Sequence, residues 1–222
     1  MKSIKISLVA IVLLVSNQFF SQIIGGNKGG TTVEVDEKAA FDAQIQKNRE
    51  DARAALKPYK YDGTKTTTYS YKTYTYAKEV EVLTIENTDY MLSFNANSVT
   101  KEKITVRIYD GPETAPGRIL LYENTNVNAN NFVVRIDDLN QKFREERLKA
   151  FNAKPKAGQA PDAAEKAAAN IAKMRLKKVY ISYVIPAVDK EVASEQVSKN
   201  KTVNTTVVTF NAIVVAVGYK TL

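Results

Sequence analysis

From Val203 to Tyr219 the chain alternates on two registers. Val203, Thr205, Val207, Thr209, Asn211, Ile213, Val215 and Val217 stand on one; Val208, Phe210, Ala212, Val214 and Ala216 stand on the other. Between Ala212 and Val217 both registers are apolar, which predicts a strand covered on both faces rather than one with a wet side. Such a strand belongs in the middle of a sheet.

Upstream, period-2 patterns rich in threonine, tyrosine and valine predict strands near 66–76, 79–86, 90–95, 104–109, 118–124, 132–136 and 178–185. In the last of these, Val179, Ile181, Tyr183 and Ile185 share one face. Turn residues separate the runs: Asn87-Thr88-Asp89, and the pair Asp110-Gly111-Pro112 and Pro116-Gly117 that closes a hairpin. Three stretches have helical spacing instead. Asp36 is placed to cap a helix over 37–56, with Phe41, Ile45, Ala52, Ala55 and Leu56 on one side and Pro58 behind it. Leu139, Phe143, Ala150 and Phe151 mark a second helix over 139–151. After a linker over 152–161, Asp162 and Glu165 open a third, over 163–176, in the manner of a capping box.

The fold class expected is mainly β with helices (α+β), an antiparallel β-sandwich interrupted by a helical hairpin, plus an N-terminal helix. In domain terms, 22–58 is a lead-in and helix, 59–137 with 177–222 is one sandwich, and 138–176 is the helical insert. The stretch over 188–201 is ambiguous between loop and helical turn.

Residues 1–21 read differently. Lys2 and Lys5 precede a short apolar run from Ile6 to Val15, and Phe19-Phe20-Ser21-Gln22 follows. That is the pattern of a secretory signal peptide, cut after Ser21, and too short for a membrane span. The Ser21-Gln22 junction resembles those of exported Bacteroidota proteins, a likeness of the leader alone. It implies a periplasmic, secreted or cell-surface product.

Composition narrows the chemistry. The chain has no histidine and no cysteine, so disulfides, thiol nucleophiles, Ser–His hydrolysis and the ordinary zinc, copper and haem sites have no ligands or bases to use. No cofactor and no metal are expected, and the reading is that of a protein that is not an enzyme. A pair of carboxylates for glycoside chemistry has no local signature and is not marked by any spacing here. The Asn- and Asp-rich turns match no calcium-loop spacing and read as surface turns.

Charge singles out one region. Without Lys2 and Lys5 the chain keeps 30 basic against 24 acidic side chains, and the stretch 152–178 holds seven of the basic ones against Asp162 and Glu165. On the third helix Lys166, Asn170, Lys173 and Lys177 are predicted on one side, with Ala164, Ala167, Ala168, Ile171 and Met174 on the other. Lys166, Lys173 and Lys177 are therefore candidate partner-binding residues for an envelope protein or an anionic envelope polymer. Nucleic acid is not an expected partner, since no aromatic and basic recognition motif accompanies the lysines. Tyr69, Tyr71, Tyr74 and Tyr76 form a second candidate surface, because exposed tyrosines stack on sugar rings or grip peptides; packing across a sheet is the alternative use of the same residues. A non-enzymatic binding or accessory protein is the functional expectation, with a carbohydrate-binding module on the tyrosine strand as its rival.

Overall fold

The computed structural model describes residues 32–97, 102–128, 130–153, 161–190, 193, 197–199, 206–208 and 211–221. The expected leader, and most of the linker over 152–161, lie outside the described residues. The elements run α1 (Thr32–Ala54), β1 (Lys60–Tyr69), β2 (Tyr76–Leu83), β3 (Thr88–Asn95), β4 (Ile104–Tyr109), β5 (Leu120–Val127), β6 (Asn131–Arg135), α2 (Ile136–Asn152), α3 (Pro161–Ala172), β7 (Lys178–Ile185), β8 (Val197–Lys199), β9 (Thr206–Val208) and β10 (Asn211–Thr221). Two antiparallel four-stranded sheets form, in the orders β1-β10-β3-β6 and β2-β7-β4-β5, with β8 and β9 making a small separate hairpin. This is the α+β, sandwich-like architecture that the alternating patterns imply.

The two late strands take central places. β10 pairs with β1 on one side, Thr67 opposite Ile213, and with β3 on the other, Val215 opposite Phe94. β7 is flanked by β2 and β4, with Ile181 between Val80 and Ile108. The double apolar register of β10 now has a cause. Ile213 and Val215 face the second sheet, in one core with Phe94, Val106, Ile108, Ile181 and Tyr183. Ala212, Val214 and Ala216 face α1 and pack on Ile45, Ala52, Leu56 and Met91. The helix side carries the small residues because a helix axis must come close to the sheet to exclude water.

Helix α1 begins at Thr32, one turn before the expected cap at Asp36. Its buried stripe includes Asn48 as well as Ile45 and Ala52; the helix ends at Ala54, two residues short of the expected end, and the turn that follows buries Leu56 and leaves Ala55 exposed. Asn48 donates to the Asn97 carbonyl at 2.9 Å and accepts from Gln44 at 2.9 Å. A polar seam thus fixes the helix where the alanines alone give little grip.

The expected single strand over 66–76 is two strands in different sheets. β1 ends at Tyr69, and 70–75 carries the chain across to β2.

Helix α2 closes one end of the sandwich. Ile136, Leu139 and Phe143 join the main core together with Leu176, and Arg147 bonds the buried Asp110 carboxylate at 3.0 Å. Helix α3 packs on α2 with Ala164, Ala167, Ala168 and Ile171 half-buried and Lys166 and Asn170 exposed. Its two faces are those the sequence predicts. Its length is not, because the helix stops at Ala172 and Met174 lies outside it, exposed.

Candidate functional site

The connector from α3 to β7 is the feature that brings the cationic side chains together. The amides of Lys173 and Met174 bond back to the carbonyls of Asn170 and Ile171, ending the helix in a tight turn. Leu176 then drops into the core, and its amide donates to Asn140 Oδ1 of α2 at 2.8 Å. The Thr84 hydroxyl, at the end of β2, donates to the Leu176 carbonyl, and the Thr84 amide donates to the Lys177 carbonyl at 3.0 Å. A short irregular segment is thereby anchored from both sides.

Between those anchors Lys173, Arg175 and Lys177 remain exposed. They line a cleft of about 500 Å³ whose other wall is the β2–β3 turn, Thr84 to Thr88, and whose floor is Ile136 and Asn140. Asn87 holds a left-handed φ of 58° in that turn, a conformation asparagine tolerates better than most residues.

The electrostatics of the cleft differ from those of the neighbouring sheet face. There, Lys178 pairs with Glu81 at 2.8 Å, Arg118 with Glu79 at 2.6 Å and Arg107 with Glu123 at 2.6 Å. Hydrogen bonding to Lys178 lowers the Glu81 pKa, and the same bond raises that of Lys178. Among the described residues no ion pair engages Lys173, Arg175 or Lys177; Glu86 is the one carboxylate in the cleft wall. Like charges gathered on a concave surface reinforce one another's potential and attract an anion more strongly than scattered ones.

Of the candidate residues, Lys173 and Lys177 therefore meet, joined by Arg175. Lys177 does so from the connector, not from the helical face expected of it. Lys166 is exposed on α3 and does not line the cleft.

The tyrosines do not share a surface. Tyr69 and Tyr71 are buried in the main core, edge to face with centroids 5.7 Å apart. The Tyr71 hydroxyl donates to the Glu102 carbonyl at 2.9 Å and accepts from the Glu102 amide at 2.8 Å; burial raises its pKa. Tyr76 is half-buried and donates to the Ser70 carbonyl at 2.5 Å. Only Tyr74 stands out, 56% exposed, with the Lys72 ammonium 3.0 Å from its hydroxyl and 4.6 Å from the Tyr76 ring centre. This corner sits at the opposite end of β2 from the cleft, roughly 23 Å away at the rise of an extended strand.

Sequence reasoning passed over Leu83 and Ile85. They are the most exposed large apolar side chains of the described residues, at 61% and 70%, and Ile85 lines the cleft, as Met174 does. The signal was present in the alternation, since Leu83 and Ile85 continue the register of Glu79 and Glu81, opposite to that of Val80 and Val82.

Elsewhere, Tyr59 donates to Asp89 at 2.5 Å, with Arg135 at 3.6 Å from the same carboxylate oxygen. Burial first, then the carboxylate, raises the Tyr59 pKa. The trio fastens the segment after α1 to the start of β3. Among the described residues no group of three or more acidic side chains gathers as a metal site, and no helix is long and apolar enough to cross a membrane. The molecule is thus an α+β, sandwich-like protein with a basic, partly apolar cleft between the β2–β3 turn and the connector to β7. No known protein family, curated protein or solved structure matches the chain.

Proposed function

We propose that this is an exported, non-enzymatic binding protein of a bacterial cell envelope, and that it takes an anionic partner at the cleft between the β2–β3 turn and the Lys173–Lys177 connector. The observation that carries the reading is the convergence of three exposed cations that make no ion pair among the described residues, on a connector held in place by Thr84 and Asn140. A solvated lysine face needs no such anchoring. The leader-like pattern of residues 1–21 supports the envelope setting.

The test is titration of a soluble polyanion, polyglutamate, into the protein at low and physiological salt. Binding is expected to weaken as salt rises, and the triple variant Lys173→Gln, Arg175→Gln, Lys177→Gln is expected to lose at least tenfold in affinity. Equal binding by the triple variant, or none by the native protein at low salt, would overturn the assignment. Replacing Lys166 with Gln, outside the cleft, serves as the control and is expected to change little.

A further inference from the structure

Resting on the reading of the cleft as an anion site, we infer that the anion is the headgroup layer of an acidic lipid bilayer, and that this end of the sandwich docks on the membrane surface. The cations do not stand alone. Leu83, Ile85 and Met174 are 61%, 70% and 39% exposed, and Ile85 and Met174 line the same cleft as Lys173, Arg175 and Lys177.

Here large apolar side chains protrude from a turn and stand beside exposed cations. They are well placed to reach the boundary between headgroups and acyl chains while cations beside them engage lipid phosphates. A purely ionic polymer such as polyglutamate offers those side chains nothing. At the base of the tip the Thr84 amide, the Leu176 amide and the Leu176 and Met174 carbonyls have partners within the chain, which holds the two sides of the cleft in place. Docking of this kind is peripheral and needs no membrane-crossing helix.

Each lysine or arginine near an acidic surface contributes about fivefold to membrane partitioning, so neutralising all three cations is expected to weaken binding roughly a hundredfold. Replacing Leu83 and Ile85 together is expected to cost about tenfold or more, from the lost burial of two aliphatic side chains. Both are exposed, so the variants are expected to fold, which circular dichroism and thermal melting check.

The experiment is co-sedimentation of the full chain with vesicles of phosphatidylcholine alone or mixed with an equal part of phosphatidylglycerol, run beside the polyglutamate titration. Binding to the mixed vesicles but not the neutral ones, lost in Leu83→Ser, Ile85→Ser while polyglutamate binding is kept, supports the inference. Polyglutamate binding without vesicle binding overturns the inference and leaves the anion site standing. Vesicle binding indifferent to Leu83 and Ile85 also overturns it, since the contact is then ionic only. Failure to bind either probe removes both readings together.

Discussion

The Thr84 hydroxyl donates to the Leu176 carbonyl across 92 residues of sequence, tying the β2–β3 turn to the connector that carries the cleft cations. The same leucine is held from behind by Asn140 Oδ1. Thr84→Val keeps the shape and removes the donor, and is expected to cost about 1 kcal/mol; Asn140→Ala leaves a buried amide without its acceptor, and about 1 to 3 kcal/mol is expected. Because both bonds fix one residue, the double variant is expected to depart from additivity. Urea unfolding of the three variants measures this, and strict additivity would show the two anchors to be independent.

Tyr183 is fully buried on the central strand β7, and its hydroxyl lies towards Thr67 without a hydrogen bond of ordinary geometry. Burial raises its pKa well above the ordinary tyrosine value. The neutral phenol is therefore favoured in the folded protein. Its contribution to stability is whole below pH ~10, where the unfolded tyrosine begins to ionise, and is lost above that at up to ~1.4 kcal/mol per pH unit. Tyr183→Phe is expected to flatten this alkaline loss. At neutral pH the variant should be as stable as the native protein or more so, since no bond is broken. Chemical denaturation at several alkaline pH values decides; an unchanged slope would contradict the account.

Gly218 of β10 faces the end of α1, where an added Cβ would come within 3.0 Å of Tyr59 Cβ and 3.2 Å of both Leu56 methyl carbons. Gly218→Ala is expected to destabilise by about 1 to 3 kcal/mol through overpacking, a fall in Tm of roughly 2 to 4 °C per kcal/mol. Shortening Leu56 to alanine costs stability of its own. In the double variant the two losses should sum to less than their separate values, and a full sum would mean that the clash is relieved by backbone movement instead.

Some elements were legible to the residue. β4 and β7 have the bounds that the apolar register of Ile104, Val106 and Ile108 and that of Val179, Ile181, Tyr183 and Ile185 predict, because each of those registers faces a dry core. The double cover of β10 was legible for the opposite reason, its two apolar faces requiring two covers, but its start was not. The alternation runs on from Val203, whereas Thr206–Val208 forms the separate strand β9, paired with β8 inside the stretch expected to be loop or helical turn, and β10 begins at Asn211. The tyrosine run misled because threonine and tyrosine suit any pleated strand, and nothing in their side chains records that the chain crosses from one sheet to the other after Tyr69. The length of α3 misled for a tertiary reason. Asn140 and Thr84 capture Leu176, and that capture pulls Lys177 off the helical face where periodicity puts it. Arg175, on neither predicted face as a binding residue, joins the cleft as a result.

The order of strands along the chain has a kinetic meaning. β7 comes after both neighbours it must join, β2 and β4, and β10 after both of its own, β1 and β3. Until those strands arrive, neither four-stranded sheet can knit together, and the earlier hairpins have no partner with which to bury their apolar faces. Folding is thus a whole-chain event dominated by distant contacts, slow by comparison with a helical bundle of similar size. Chains arrested before β10 are expected to be cut throughout by protease, and a resistant fragment over β1 to β6 would show that the first strands assemble unaided. A polypeptide with this arrangement stays open while it is being made and closes only after its latest strands slot between their neighbours.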